Sequence, residues 1–533
     1  MANDIQTLPQ QRQPNYSPIY MNLTVFNAGF ATMAVEFGAS RLLGNVFGTS
    51  NLVWAVIIGL ILVYLTLGNW LGGKLADRRP DHLTFFTVIA LAGFFVALVP
   101  LISRPLLSSA ADAFDALNLP LLAGSFLTVL ILFSLPVTIL GMVMPFALKL
   151  MIADTAVTGK ISGRVSAIST LGSFLGTFLT VLLMIPTAGT YRTFLITSLV
   201  LLLTALPGLL LSKSVWRSAV AGLGAAAVLL LAILGPSKTI KASAGQIYET
   251  ESAYNYIQVL ELQGFRFLRL NEGQGVHSIY HPTQTFYAGP WSQFLVGPLF
   301  NPAQEALPQV ERIAILGLAA GTTARQAASV YPEARVEGFE LDPKIIAVGQ
   351  EYFGMNLPEL KVHIEDARWG LTHSPESFDL VAIDAYQVPY IPAHLVTVEF
   401  FEEVSRHLTA QGVVAVNVGR APGDRTLVDS IATTLLQVFP NVFLMDLPDS
   451  FNSVLFACKD PHASWENFAA ARSLISVQAP GSLLDYASAL TLQGKSQITT
   501  PGRIFTDDLA PIEAMTNRLV LNLIFQQEVE ALP

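Results

Sequence analysis

The sequence predicts a multi-pass α-helical membrane bundle followed by a soluble α/β domain whose first part is a β-hairpin region. Three observations carry this. Long apolar runs recur up to Gly235 and then stop. The charge changes sign at the same place: residues 1–240 hold 13 Lys/Arg against seven Asp/Glu, and the rest of the chain holds 17 against 32. From Arg312 onward, short apolar runs alternate with helical stretches and end in Gly, Glu or Asp. The overall figures of 52% hydrophobic and 13% charged residues are therefore averages over two unlike halves.

A hydrocarbon core about 30 Å thick needs about 20 apolar residues per helix. After a polar N-terminus (1–20), that length is met in seven spans: Met21 to Leu43, Asn51 to Gly73, Leu83 to Ile102, Leu121 to Met151, Ser162 to Ile185, Thr193 to Leu211 and Ser218 to Gly235. The first run is too long for the apolar region of a cleavable signal, so none is expected. Gly172, Ser173 and Gly176 on the fifth span, and Gly59, Gly68, Gly72 and Gly73 on the second, fit close helix packing. Glu36 and Arg41 stand near the end of the first span, where an unpaired charge is costly; pairing with each other, reaching headgroups and lining a polar cavity all answer that cost. Pro136 and Pro145 flank Gly141 and interrupt the fourth span, as a kink or as a cavity wall. Basic residues cluster at Lys74, Arg78 and Arg79, at Lys149, Lys160 and Arg164, and at Lys213 and Arg217. The positive-inside rule places those loops and the N-terminus in the cytoplasm, and seven crossings then leave the soluble domain outside it.

Residues 236–245 form a polar linker. A β-rich part follows over 246–306, with strands at Tyr256 to Glu261 and Phe265 to Leu270 around the turn pair Gln263-Gly264. Residues 307–460 read as a nucleoside-binding core and 461–533 as a C-terminal segment. Strands at Arg312 to Gly317, Arg335 to Leu341, Val362 to Glu365, Leu380 to Asp384 and Val413 to Val418, separated by helices, imply a mainly parallel sheet with ligands at its carboxyl ends.

The chemistry concentrates at those ends. The first strand opens into Gly317-Leu318-Ala319-Ala320-Gly321-Thr322, where small residues let a ligand approach the backbone and a helix N-terminus offers free N–H groups. The next strand ends at Glu340, placed to accept from both ribose hydroxyls. Asp366 follows the third strand, where it can accept from an adenine amino group, and Asp384 ends the fourth. Four carboxylates at successive strand ends, Glu365 included, repel one another unless a ligand or cations compensate, so a nucleoside-type site is expected.

At these residues the chain resembles a known family. Residues 246 to about 460 are similar to spermidine synthases, a class I S-adenosylmethionine-methyltransferase-like fold. The arrangement of bundle and domain resembles the fused major-facilitator-like/spermidine synthase proteins. The resemblance rests on Tyr248 to Val259 (Y-E-T-E-S-A-Y-N-Y-I-Q-V), Gly275-Val276-His277-Ser278, Asp384 to Leu395 (D-A-Y-Q-V-P-Y-I-P-A-H-L) and Phe505 to Glu513 (F-T-D-D-L-A-P-I-E). It implies that Glu340 holds the ribose of an adenosyl sulfonium, Asp366 the adenine, and Gly317 and Gly321 the methionine-derived part, with His277 also on the cofactor side. Tyr254, Asn255 and Tyr386 fall to the acceptor, and Asp384 and Tyr287 to catalysis. Two departures stand out. Where the family's glycine turn carries an Asp that contacts the amine of the decarboxylated cofactor, this chain has Ala320, and an Asp there is expected to restore preference for that form. Where the family has a second Asp after the fourth strand, this chain has Gln387, which can orient an amine but cannot serve as its base. Asp507 and Asp508 supply the missing charge if the C-terminal segment folds over the site; a turn or cap explains them equally.

Three functions compete on this reading: an aminopropyltransferase using decarboxylated S-adenosylmethionine and a polyamine acceptor, a methyltransferase using S-adenosylmethionine, and a noncatalytic polyamine-sensing or transport module. Because such cofactors are made in the cytosol, the soluble domain is expected to be cytoplasmic, in conflict with the seven-span count. The lipid bilayer is the expected partner, with a homo-oligomer among the open assemblies. The acidic soluble half argues against nucleic acid. Cys458 alone makes no disulfide framework, and the His residues lack ligand spacing, so no metal is expected.

Overall fold

The computed structural model describes residues 16–47, 51–117, 121–152, 158–235, 243–271, 275–287, 289–302, 308–386, 391–421, 423–448 and 450–519. The chain separates into two compact units, Met1–Ala242 and Ser243–Pro533.

The first unit is helical: α1 (Pro18–Phe47), α2 (Asn51–Arg78), α3 (His82–Leu117), α4 (Leu121–Gly141), α5 (Val143–Met151), α6 (Thr158–Leu179), α7 (Ile185–Leu211) and α8 (Val215–Leu234), with a π-helical stretch Thr180–Met184 between α6 and α7. Among the described residues, five helical stretches are long and apolar enough to cross a bilayer, against the seven expected. The difference has two sources. α1 carries Asn22, Asn27, Glu36 and Arg41 and falls outside the set; the fifth and sixth expected spans merge into one stretch, Thr158–Leu211, of 54 residues. At 1.5 Å per residue that stretch is about 80 Å long, far more than one crossing needs. Gly189 interrupts it with φ 82° and ψ 164°, a conformation only glycine adopts readily.

Small residues set the helix contacts. A Cβ on Gly172 would lie 2.1 Å from the Phe26 carbonyl oxygen, and one on Gly176 2.4 Å from that of Phe30. The four-residue steps advance together, so α1 and α6 pack parallel at backbone contact. Gly68 and Gly72 press likewise on Thr138 and Met142, whereas Gly59 and Gly73 face open space. The break between α4 and α5 falls at Met142, beside Pro145, which has no N–H for the Gly141 carbonyl. A Cβ on Gly141 would meet Leu65 and Gly68 of α2, so the break is a packing feature.

The second unit opens with a four-stranded antiparallel meander, β1 (Gln246–Glu251), β2 (Tyr256–Leu262), β3 (Phe265–Leu270) and β4 (Val276–Tyr280). Gln263 and Gly264 join β2 to β3 with φ of 54° and 84°, the two positive values that a tight two-residue hairpin turn requires.

After the short α9 (Trp291–Phe294) come β5 (Arg312–Leu316), α10 (Thr322–Val330), β6 (Arg335–Phe339), α11 (Pro343–Tyr352), β7 (Leu360–His363), α12 (Ala367–His373), β8 (Phe378–Ile383), α13 (Val398–Arg406), β9 (Leu408–Gly419), α14 (Thr426–Leu435), β10 (Asn441–Asp446), β11 (Asn452–Cys458), α15 (Trp465–Gln478), α16 (Leu483–Gln493) and β12 (Lys495–Ser496). Among the described residues these strands form one sheet in the order β12-β10-β11-β9-β8-β5-β6-β7. β5 to β9 are parallel, whereas β11 runs antiparallel to β9, and β10 and β12 complete that edge. Counted from β5, the order is 3-2-1-4-5-7-6-8 with the seventh strand reversed, and the first seven strands make the class I methyltransferase-like arrangement.

Both faces of the sheet are buried. Ile313 and Ile315 of β5 point into one apolar cluster, with residues of α10, α15 and α16; Ala314 and Leu316 point into the other, with residues of α12, α13 and α14. Residues buried on both sides read as continuous apolar runs, which is why β5, β8 and β9 are legible in the sequence.

Candidate active site

The carboxyl ends of β5, β6, β7 and β8 open onto a cavity of about 490 Å³, closed on one side by Tyr254, Asn255, Leu270 and His277 from the meander. That volume lies within the range of small-molecule sites, about 300–1,000 Å³.

The floor is the turn after β5. Gly317 has φ 92°, and a Cβ on it would come within 2.6 Å of the Ala385 backbone, so glycine is required both by conformation and by the approach of β8. Ala319 follows at φ 48° and lines the cavity. Glu340 secures this turn: its carboxylate accepts from the Ala319 and Asp342 amides, each at 3.0 Å. Burial pushes Glu340 up to about 7, although those backbone hydrogen bonds pull the other way.

Asp366 is the N-cap of α12, taking the Arg368 and Trp369 amides on Oδ1 at 3.0 Å each, while Oδ2 lies 3.1 Å from His394 Nε2. Glu365 lines the wall beside it. On the far side of the Gly317 turn stands Asp384, whose Oδ1 accepts from Asn417 Nδ2 at 2.9 Å. Burial pushes Asp384 up to about 7 against that bond. Tyr386 lines the same end, its hydroxyl donating to the Asn417 carbonyl at 3.0 Å and accepting from the Gly419 amide at 2.8 Å. Burial raises the Tyr386 hydroxyl and pushes His277 down to about 4, so His277 is neutral near pH 7.

Gly317, Glu340, Asp366, Asp384, His277, Tyr254, Asn255 and Tyr386 thus surround one cavity. Asn255 is also a strut, donating to Asp342 Oδ2 and accepting from Asn271 Nδ2, each at 3.0 Å. Other expected site residues lie elsewhere. Tyr287 is buried outside the cavity wall, its hydroxyl donating to the Gln284 carbonyl at 2.6 Å and accepting from the His281 amide at 3.0 Å. Gly321 is the left-handed N-cap of α10, facing Met355. Ala320 is fully buried in an apolar cluster with Ile257, Val259, Leu268, Val348 and Phe353, and its amide donates to Ser278 Oγ at 3.0 Å. Asp507 is bound to Arg368 by two hydrogen bonds of 2.8 and 2.9 Å, which holds its carboxyl below the usual range; Asp508 is exposed on the adjacent turn. Gln387 lies outside the described residues.

Unforeseen participants are Asn417, His394 and Asp342. Asn417 and His394 act through partners 33 and 28 residues away in the chain, whereas Asp342 is also the N-cap of α11, ahead of Pro343.

The position of Ala320 reverses an expectation. Ala320→Asp places a carboxylate among apolar side chains, and an uncompensated buried charge costs about 3–5 kcal/mol. The expected result is a marked drop in thermal stability with no change in donor preference; a stable variant with altered preference would return position 320 to the binding surface.

Residues 299–457 match the model of the spermine/spermidine synthase domain. The chain is 34% identical over 224 residues to a probable polyamine aminopropyl transferase of Bifidobacterium longum, covering 41% of this chain and 48% of that one. It is 28% identical over 278 residues to a polyamine aminopropyltransferase of Vibrio vulnificus, covering 50% and 89%. A solved probable spermidine synthase from Corynebacterium glutamicum aligns at 20% identity with a TM-score of 0.39, over 51% of this chain and 99% of that one. The chain spans about half the length of the first of these relatives. Its second unit has the spermidine synthase/methyltransferase-like α/β fold, and residues 299–457 within it match the spermine/spermidine synthase domain.

Proposed function

We propose that the soluble unit transfers an aminopropyl group from decarboxylated S-adenosylmethionine to an amine of the polyamine class, while the helical unit holds it at a membrane. The observation that carries this is the order of the strand ends around one cavity, with Glu340 and Asp366 after β6 and β7 on one side of β5 and Asp384 after β8 on the other. The acidic wall suits a cationic sulfonium and a cationic acceptor. Glu340 would take the ribose hydroxyls and Asp366 the adenine amine.

In the reaction, the acceptor nitrogen attacks the methylene attached to sulfur, the C–S bond breaks, and its electron pair stays on sulfur as a neutral thioether. The nitrogen sheds a proton, and Asp384, titrating near neutrality, is the group to take it. Tyr386 is engaged with Asn417 and Gly419, so it supports the loop, its hydroxyl proton committed to the Asn417 carbonyl. The relatives' names support this reading.

Methyl transfer from intact S-adenosylmethionine is the second reading, favoured by the Gly turn: with Ala320 turned into the core, the turn presents no carboxylate to repel an amino-acid tail. Either reaction requires the unit to face the cytoplasm, where the donors are made. The test is to incubate the whole solubilised chain with putrescine and each donor and to analyse products by mass. Aminopropylated putrescine with 5′-methylthioadenosine is expected. A methylated product with S-adenosylhomocysteine would replace this reading with the second.

A further inference from the structure

Asp366 is occupied in a particular way. Its Oδ1 already takes two backbone N–H groups of α12, so only Oδ2 can meet a ligand, and Oδ2 is held by His394 Nε2 at 3.1 Å. An ionised carboxylate oxygen has about two acceptor sites, which leaves Oδ2 with one. His394 is itself fixed from behind: its carbonyl accepts from Arg368 Nη1 at 3.2 Å. Arg368 in turn is clamped by Glu403 and by Asp507 of the C-terminal segment, at 2.8 Å each. Both Asp366 and His394 line the cavity.

We propose that His394 is a positioning residue for base recognition: by occupying one acceptor site of Asp366 Oδ2, it aims the other at the exocyclic amine of adenine. The inference rests on the nucleoside reading of the cavity given above. It explains why an arginine with two acidic partners backs a half-exposed loop, since the clamp holds the His394 backbone and the imidazole holds the carboxylate. Without His394, Asp366 keeps its capping bonds on Oδ1, but its second oxygen has nothing to set which way its remaining acceptor site points.

The readout is a ratio, which a loss of general structural integrity does not move. Binding of 5′-methylthioadenosine and of its analogue lacking the exocyclic amine is measured by calorimetry on the whole solubilised chain. The unmodified protein is expected to prefer the adenine form by about 10-fold or more, as for a hydrogen bond to a charged acceptor. In His394→Ala the preference should fall to about 3-fold or less, with affinity for the amine-free analogue little changed. His394→Gln, which keeps an N–H near the Nε2 position, should restore the preference. An unchanged ratio in His394→Ala would overturn the proposal and leave the nucleoside site standing. Failure of the unmodified chain to bind either ligand would overturn the site itself.

Discussion

Asp384→Asn is expected to remove most of the turnover and at the same time to stabilise the second unit above neutral pH. The catalytic loss follows from exchanging a base for an amide of the same shape: general-base catalysis contributes about 10²–10⁴-fold, and Asn417 can still donate to the new side-chain oxygen, so the geometry survives. The gain in stability follows from burial. Folding raises the carboxyl from an unfolded value near 3.9 to about 7, so the folded state binds the proton more tightly. The stability associated with the protonated form is fully present below about pH 4 and is lost as pH rises to about 7; above that, the buried charge costs up to about 4 kcal/mol. The amide has no such dependence. Thermal melts at pH 5 and pH 8 should show the advantage of the variant widening at the higher pH. Parallel behaviour of the two proteins, or retained turnover, would take Asp384 out of the role of base.

The second large effect concerns Glu340→Gln. Glu340 supports the Gly turn through the Ala319 and Asp342 amides, and its remaining lone pairs face the cavity. An amide has one acceptor oxygen, so it loses either the turn or the ligand. Hydrogen bonds to a charged group are worth about 1.5–3 kcal/mol, so binding of 5′-methylthioadenosine should weaken by about 10- to 150-fold. The titration adds a signature. Because Glu340 ionises near 7, affinity in the unmodified protein should rise between pH 6 and 8, and in the variant that rise should be much reduced. Equal affinities at pH 8 would place the ribose elsewhere.

β5, β8 and β9 are legible because each holds an apolar run buried on both faces, whereas the more polar β6 and β7 are legible from their place between helices and from the acids that follow them. The antiparallel strands β10 and β11 were not read. Their apolar runs, Val442 to Met445 and Val454 to Cys458, lack the helix-separated rhythm of the others, and what makes them strands is pairing with each other and with β9. In the bundle, the glycines of α6 signalled close packing, yet sequence alone did not show that Gly59 and Gly73 face outward while Gly68 and Gly72 do not. At the site, position along a strand brought out Glu340, Asp366 and Asp384, since a residue at a carboxyl end has few places to go. Direction was harder: Ala319 and Ala320 are adjacent and alike, but one lines the cavity and the other fills the core. For Asp507 the sequence leaves a site charge and a turn or cap equally open, because its partner Arg368 is 139 residues away.

The amide chain behind Asp384 reaches well beyond the cavity. Asn417 holds Asp384 with its nitrogen and receives Asn452 Nδ2 on its oxygen at 2.8 Å, and Asn452 belongs to β11, the reversed strand. The proton affinity of the reacting end is therefore adjustable from a residue outside the cavity lining. If Asp384 is the base, an exchange at position 452 is expected to shift its proton affinity through Asn417 while every residue that lines the cavity stays the same.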